Sequence, residues 1–168
     1  MGFSRKNKHF SFEFFPPKTE KGQELLAETL KALAVLKPDM FSVTFGAGGS
    51  TRERTFETVK WVKAETGIPV APHLSCIGSK REDLLAMLKR YKENGVKHIV
   101  SLRGDIPENE EAFKEGGLRY PDELVKLIKD FGGFTIHVGC YPEFHPESPS
   151  PESDLKYFAQ KARAGADK

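Results

Sequence analysis

The chain has 168 residues, 38% of them hydrophobic, enough to bury one full core, so a single domain over residues 1–168 is expected. Its 26 basic and 24 acidic residues are interspersed and leave a formal charge of +2, which excludes a polybasic nucleic-acid surface while allowing small anionic ligands. No apolar run approaches the roughly 18 residues of a membrane span, the N-terminus lacks a secretory pattern, and Cys76 and Cys140 form no CxxC pair, so a cytoplasmic protein with free thiols is expected.

Residues 9–15 (HFSFEFF) are aromatic, alternate, and stop at Pro16 and Pro17, as a strand that ends abruptly does. Over 20–36, Leu25, Leu26, Leu30, Leu33 and Leu36 recur at helical spacing. FSVTF (41–45) reads as a second strand; after the turn GAGGS comes a helix with Phe56, Val59, Trp61 and Val62 on its apolar face and Thr51 as its expected cap. IPVAPHL (68–74) leads into a helix from about Arg81 to Asn94, with Leu84, Leu85 and Leu88 facing inward and Gly95 just past its end. HIVSL (98–102) precedes a long turn and a helix from about Pro121 to Asp130. FTIHVGCY (134–141) precedes a proline-rich loop and a last helix from about Asp154 to Ala164.

Five strand–helix units in strict alternation imply a parallel α/β sheet, because parallel strands need crossover helices. A polar or ionisable residue closes each predicted strand: Glu13, Thr44, His73, Asp105 and Tyr141, separated by 31, 29, 32 and 36 residues. In barrels built from such units the strand C-termini converge on one active-site mouth, so these side chains are expected to meet there, as in an enzyme. A closed eight-unit barrel takes about 250 residues. The chain is thus expected to hold about five units, with three C-terminal units absent.

Glu13 shares a strand face with Ser11 and Phe15, opposite Phe10, Phe12 and Phe14. If the second face packs under helices, Glu13 points into a mouth lined by aromatic rings, where lost hydration favours a protonated general acid. An ion-paired structural glutamate, with Arg103 as partner, is the alternative. The Arg103-Gly104-Asp105 turn combines a fork-shaped cation, a hinge and a carboxylate, a set that holds a phosphate with the cation and an N–H-rich heterocycle with the acid. His73 with Cys76, and Cys140 with His145, carry zinc-ligand chemistry, but the spacing does not bring four ligands to one tetrahedron, and no metal is expected. GAGGST (46–51) is neither GxGxxG nor a P-loop. The long loop from Tyr141 to Asp154, containing His145, suits a wall for a large ligand, and Lys161 on the following helix is placed to reach the same ligand.

SFEFFPPK (11–18), SVTFGAGGSTRERT (42–55), PHLSCIG (72–78), VSLRGD (100–105) and CYPEFHPES (140–148) resemble, in order and spacing, the methylenetetrahydrofolate reductase family. The resemblance implies an incomplete (β/α)8 TIM-barrel type fold, with FAD at the strand C-termini, NADH or NADPH as reductant, and 5,10-methylenetetrahydrofolate reduced to 5-methyltetrahydrofolate. By position it implies Glu13 as the acid that opens the folate ring and Asp105 as the carboxylate beside flavin and pterin. Thr44, Phe45, His73, Arg103, Gly104, Tyr120, Tyr141, His145, Asp154 and Lys161 match positions that contact FAD or nicotinamide. Tyr157 and Gln160 depart from the polar or basic FAD contacts of some relatives, and Pro121 from a common alanine.

Two other classes fit the same residues. One is a metal-dependent barrel hydrolase using His73, Cys76 and His145; the other is a non-catalytic barrel fragment. Because five parallel strands cannot close, the outer edges of the first and fifth are expected to be exposed and the chain to self-associate as a homo-oligomer.

Overall fold

Every strand in the computed structural model runs parallel to its neighbour, in the order β1-β2-β3-β4-β5, with a helix after each. The strands are β1 (Ser11–Phe14), β2 (Met40–Val43), β3 (Val70–Ser75), β4 (His98–Leu102) and β5 (Thr135–Val138). The helices are α1 (Glu20–Ala34), α2 (Gly49–Thr66), α3 (Arg81–Glu93), α4 (Pro121–Phe131) and α5 (Pro151–Ala164). The structure describes residues 9–45, 49–104, 117–141, 143–146 and 148–168. Two compact units, Met1–Pro72 and His73–Lys168, divide the chain within β3.

In the first unit β1 pairs with β2 (Glu13 opposite Ser42) and β2 with the first half of β3 (Phe41 opposite Val70). Phe12 and Phe14 lie against Phe41, with ring centroids 6.3 and 5.3 Å apart, so the phenylalanine face of β1 is the covered one, as its alternation requires. Phe10 and Phe15 lie outside the strand and are exposed. Thr19 caps α1 by accepting from the Gly22 amide at 3.1 Å, and Leu26 and Leu30 are buried. Leu25 and Leu36 are exposed, contrary to the leucine spacing: Leu25 lies beside the buried stripe, and Leu36 follows the end of α1. Helix α2 buries Phe56, Val59 and Val62 while Trp61 is half-buried. Thr51 is not its cap. The helix starts at Gly49, and the Thr51 carbonyl accepts from the Thr55 hydroxyl at 3.0 Å inside the first turns.

In the second unit the remainder of β3 pairs with β4 (His73 opposite Val100) and β4 with β5 (Val100 opposite His137). Leu74, Leu84, Leu88, Tyr91, Ile99, Leu124, Ile128 and Ile136 are essentially inaccessible to solvent; each such side chain contributes about 1.5–3 kcal/mol through burial. Helix α5 begins at Pro151, three residues before the position read from the sequence. Proline is preorganised for a first helical position, and the Ser150 hydroxyl accepts from the Ser153 amide at 3.2 Å. Asp167 and Lys168 lie against β5: the Lys168 amide donates to Ile136 and the Lys168 carbonyl accepts from Val138, at 3.1 and 3.0 Å.

Candidate active site

The first unit places Glu13 and Thr44 at the C-terminal ends of neighbouring strands. The Thr44 amide donates to the Phe14 carbonyl at 2.9 Å, carrying the β1–β2 pairing one residue past β2, and the Thr44 carbonyl accepts from the Thr55 hydroxyl at 3.0 Å. One hydroxyl on α2 thus ties the strand end to the helix start. Phe45 follows, half-buried, with the Arg52 guanidinium 5.9 Å from its ring centroid. Glu13 is exposed, as are Ser11 and Phe15, so it is not enclosed among the aromatic rings as the alternation of β1 suggested.

The second unit builds a denser arrangement. His73 is buried at 5% exposure on the face of β3 that also carries Ser75. At the end of β4 the Arg103 carbonyl accepts from the Ser75 hydroxyl at 2.8 Å, the Cys76 thiol at 3.3 Å and the Ile77 amide at 3.0 Å. Gly104 follows with φ +85°, in the left-handed region that favours glycine, and the Arg103 Nε donates to the Gly104 carbonyl at 3.3 Å. Asp105 lies outside the described residues.

Beyond β5, the rings of Tyr141 and His145 meet edge to face at 4.7 Å. Lys161 of α5 donates from Nζ to the Gly139 carbonyl at 2.6 Å and lies 5.5 Å from the Phe158 ring centroid. Burial lowers the Lys161 pKa, while Asp154 and Cys140 act on it in the opposite direction. Tyr141 and His145 thus make one contact beyond β5, and Lys161, influenced by Asp154, makes another on the Gly139 carbonyl. Tyr120 is placed differently. It starts α4, exposed, with its amide donating to the Glu123 carboxylate at 3.0 Å as in the second half of a capping box.

Cys76 is buried with its thiol on the Arg103 carbonyl, Cys140 is exposed, and among the described residues no three His, Cys, Asp or Glu side chains are grouped as a metal site requires. Sequence reasoning missed Ser75 and Thr55, whose hydroxyls hold the two strand ends. A period-two reading of β3 from His73 would have put Ser75 on the same face. No described helix is long and apolar enough to cross a membrane.

Residues 2–168 match the family model described as methylenetetrahydrofolate reductase. The chain is 44% identical over 160 residues to the 5,10-methylenetetrahydrofolate reductase of Pectobacterium carotovorum subsp. carotovorum, covering 94% of this chain and 52% of that protein. The Escherichia coli protein of the same name is 40% identical over 158 residues, with the same coverages. Methylenetetrahydrofolate reductase (NADH) 1 of Arabidopsis thaliana is 37% identical over 171 residues, covering 94% of this chain and 29% of the plant protein. The chain thus spans about half the length of its bacterial relatives. Among solved structures, a phosphoenolpyruvate phosphomutase from Streptomyces platensis subsp. rosaceus superposes with a TM-score of 0.59 at 12% identity, over 95% of this chain and 58% of the other. A 2,3-dimethylmalate lyase gives 0.59 at 8% identity, over 95% and 56%. At such identities the likeness concerns fold alone, and the fold is α/β of the TIM-barrel type with five strand–helix units.

Proposed function

The chain belongs to the methylenetetrahydrofolate reductase family, and from that premise we propose that it supplies the flavin-binding strand ends of an enzyme that reduces 5,10-methylenetetrahydrofolate to 5-methyltetrahydrofolate with NADH or NADPH. The observation that carries this reading is the half-buried Lys161 on the Gly139 carbonyl just past β5, beside an open glycine and shortly before the Tyr141–His145 ring contact in the chain.

The donor set fits FAD. A side chain added at Gly139 would meet nothing within 4 Å, so the backbone there is open to a ligand's approach. Lys161 has three N–H donors, one of them on the Gly139 carbonyl, and the others suit a diphosphate; burial lowers its pKa and Asp154 opposes that. Arg103 offers a second, fork-shaped cation, Tyr141 and His145 offer ring surface, and His73 is assigned to the same cofactor by its family position. Thr44, Phe45, Gly104 and Tyr120 are assigned to the remaining cofactor contacts by their family positions. When bound, FAD supplies the hydride carrier between nicotinamide and folate.

The other steps fall to side chains. Glu13 delivers the proton that opens the folate ring, and its exposure leaves it reachable by the substrate. Asp105 is assigned to the pterin and to the flavin environment. We further infer a cytoplasmic, self-associating protein without nucleic-acid partners, for which sedimentation is the check. Titration of the purified protein with FAD tests the central reading. Flavin that co-elutes on gel filtration, seen in the visible range where protein is transparent, supports it, and colourless protein at saturating FAD refutes it.

A further inference from the structure

We propose that Ser75 and Cys76 are positioning residues that clamp the Arg103 carbonyl and so set the conformation of the Arg103–Gly104 turn. Three consecutive residues, Ser75, Cys76 and Ile77, each direct a donor at that one oxygen. A carbonyl oxygen has two lone pairs, and a single backbone donor suffices for ordinary parallel pairing. The two side-chain bonds are therefore additional to what the sheet requires. Both donors belong to buried residues, Ser75 at 8% and Cys76 at 0% exposure, and the bonds are part-buried, which limits competition from water.

Two further features show the turn to be built around this contact. A Cβ on Gly104 would collide with the Ser75 hydroxyl oxygen, and φ at Gly104 is +85°, so both the space and the backbone conformation favour glycine. Burial pushes the Cys76 pKa up to about 11, which keeps the thiol protonated and able to donate. With its carbonyl held back against β3, Arg103 leaves the strand in a fixed direction, and its Nε bonds the next carbonyl at 3.3 Å. The clamp rests on the proposed function only for its consequence, namely the placing of Arg103 toward flavin.

The experiment compares Ser75→Ala and Ser75→Thr with the unaltered chain by amide hydrogen exchange and by FAD titration. Loss of one buried hydrogen bond should speed exchange of the Ile77 amide and raise the FAD dissociation constant about five- to tenfold, with exchange at Ile99 unchanged. Ser75→Thr, which keeps the hydroxyl, should restore both. Unchanged Ile77 exchange in Ser75→Ala overturns the clamp. Faster exchange with unaltered FAD affinity overturns its positioning role, as does failure of threonine to rescue. If the unaltered chain binds no FAD, the flavin reading fails by itself and Ile77 exchange alone decides the clamp. Should Ser75→Ala not fold, Cys76→Ala against Cys76→Ser carries the same comparison.

Discussion

His98 Nδ1 lies 3.1 Å from His137 Nε2 across the β4–β5 pair, with one ring donating and the other accepting. Register places His137 opposite Val100 and His98 opposite Thr135, so the two histidines are diagonal neighbours on one sheet face. Burial lowers both pKa values below the ordinary imidazole value, Lys168 lowers both further, and on His137 the His98 charge lowers it while Asp167 opposes.

A consequence for stability follows. For a base whose folded pKa is depressed, the unfolded chain binds more protons, so stability is intact above about pH 6.5 and is lost as pH falls through the folded values. The thermal midpoint should decline from pH 7 to pH 5, and His137→Gln should flatten that decline. Asp167, whose carboxyl is held low by the Ile136 amide and then Lys129, adds its own loss only at more acid pH. Parallel curves for the variant and the unaltered chain would count against a titrating pair.

Glu13→Gln, made in a full-length protein carrying this sequence, should spare reduction of flavin by NAD(P)H yet slow folate reduction by about a hundredfold or more, the usual worth of a general acid. Hydride transfer to flavin needs no protein acid, whereas opening the folate ring does. Stopped-flow measurement of the two half-reactions decides, and an equal loss in both contradicts the assignment.

The two cysteines should differ sharply toward iodoacetamide. With its pKa pushed up to about 11, Cys76 is about one-thousandth thiolate at pH 8, and it is fully buried, whereas Cys140 is exposed. Peptide mass analysis should find Cys140 labelled in the folded protein and Cys76 labelled only after denaturation. Comparable labelling of both in the native state would mean the Cys76–Arg103 contact is open in solution.

Gly104→Ala should damage the β4 turn. An alanine there combines a left-handed φ with a collision against Ser75, each costing on the order of 1–2 kcal/mol. FAD affinity should fall at least about tenfold by fluorescence titration, with far-ultraviolet circular dichroism unchanged. An alanine variant with unaltered affinity removes the turn from the site.

Leu88→Ala removes a side chain with no solvent exposure from the middle of α3, and about 2–5 kcal/mol of stability should go with it. Urea denaturation checks the value. By contrast Leu25→Ala, at 64% exposure, should change stability by about 0.5 kcal/mol or less.

The order and type of every element were legible in the chain, because strand alternation and helical spacing are local properties: Leu84 and Leu88 are buried as their spacing requires, and β4 has the bounds its sequence indicates. The near-terminal positions of Glu13 and Thr44 on β1 and β2 followed from the same repeat, whereas β3 runs two residues beyond His73. Only tertiary structure decided that Glu13 is exposed, that Lys161 bonds the Gly139 carbonyl, and that the Arg103 carbonyl receives side chains 27 and 28 residues away. The histidine pair, separated by 39 residues, was equally invisible. Periodicity states which face a residue occupies, but partners across strands depend on register and on the layer packed above them, and a one-residue slip would exchange every such contact.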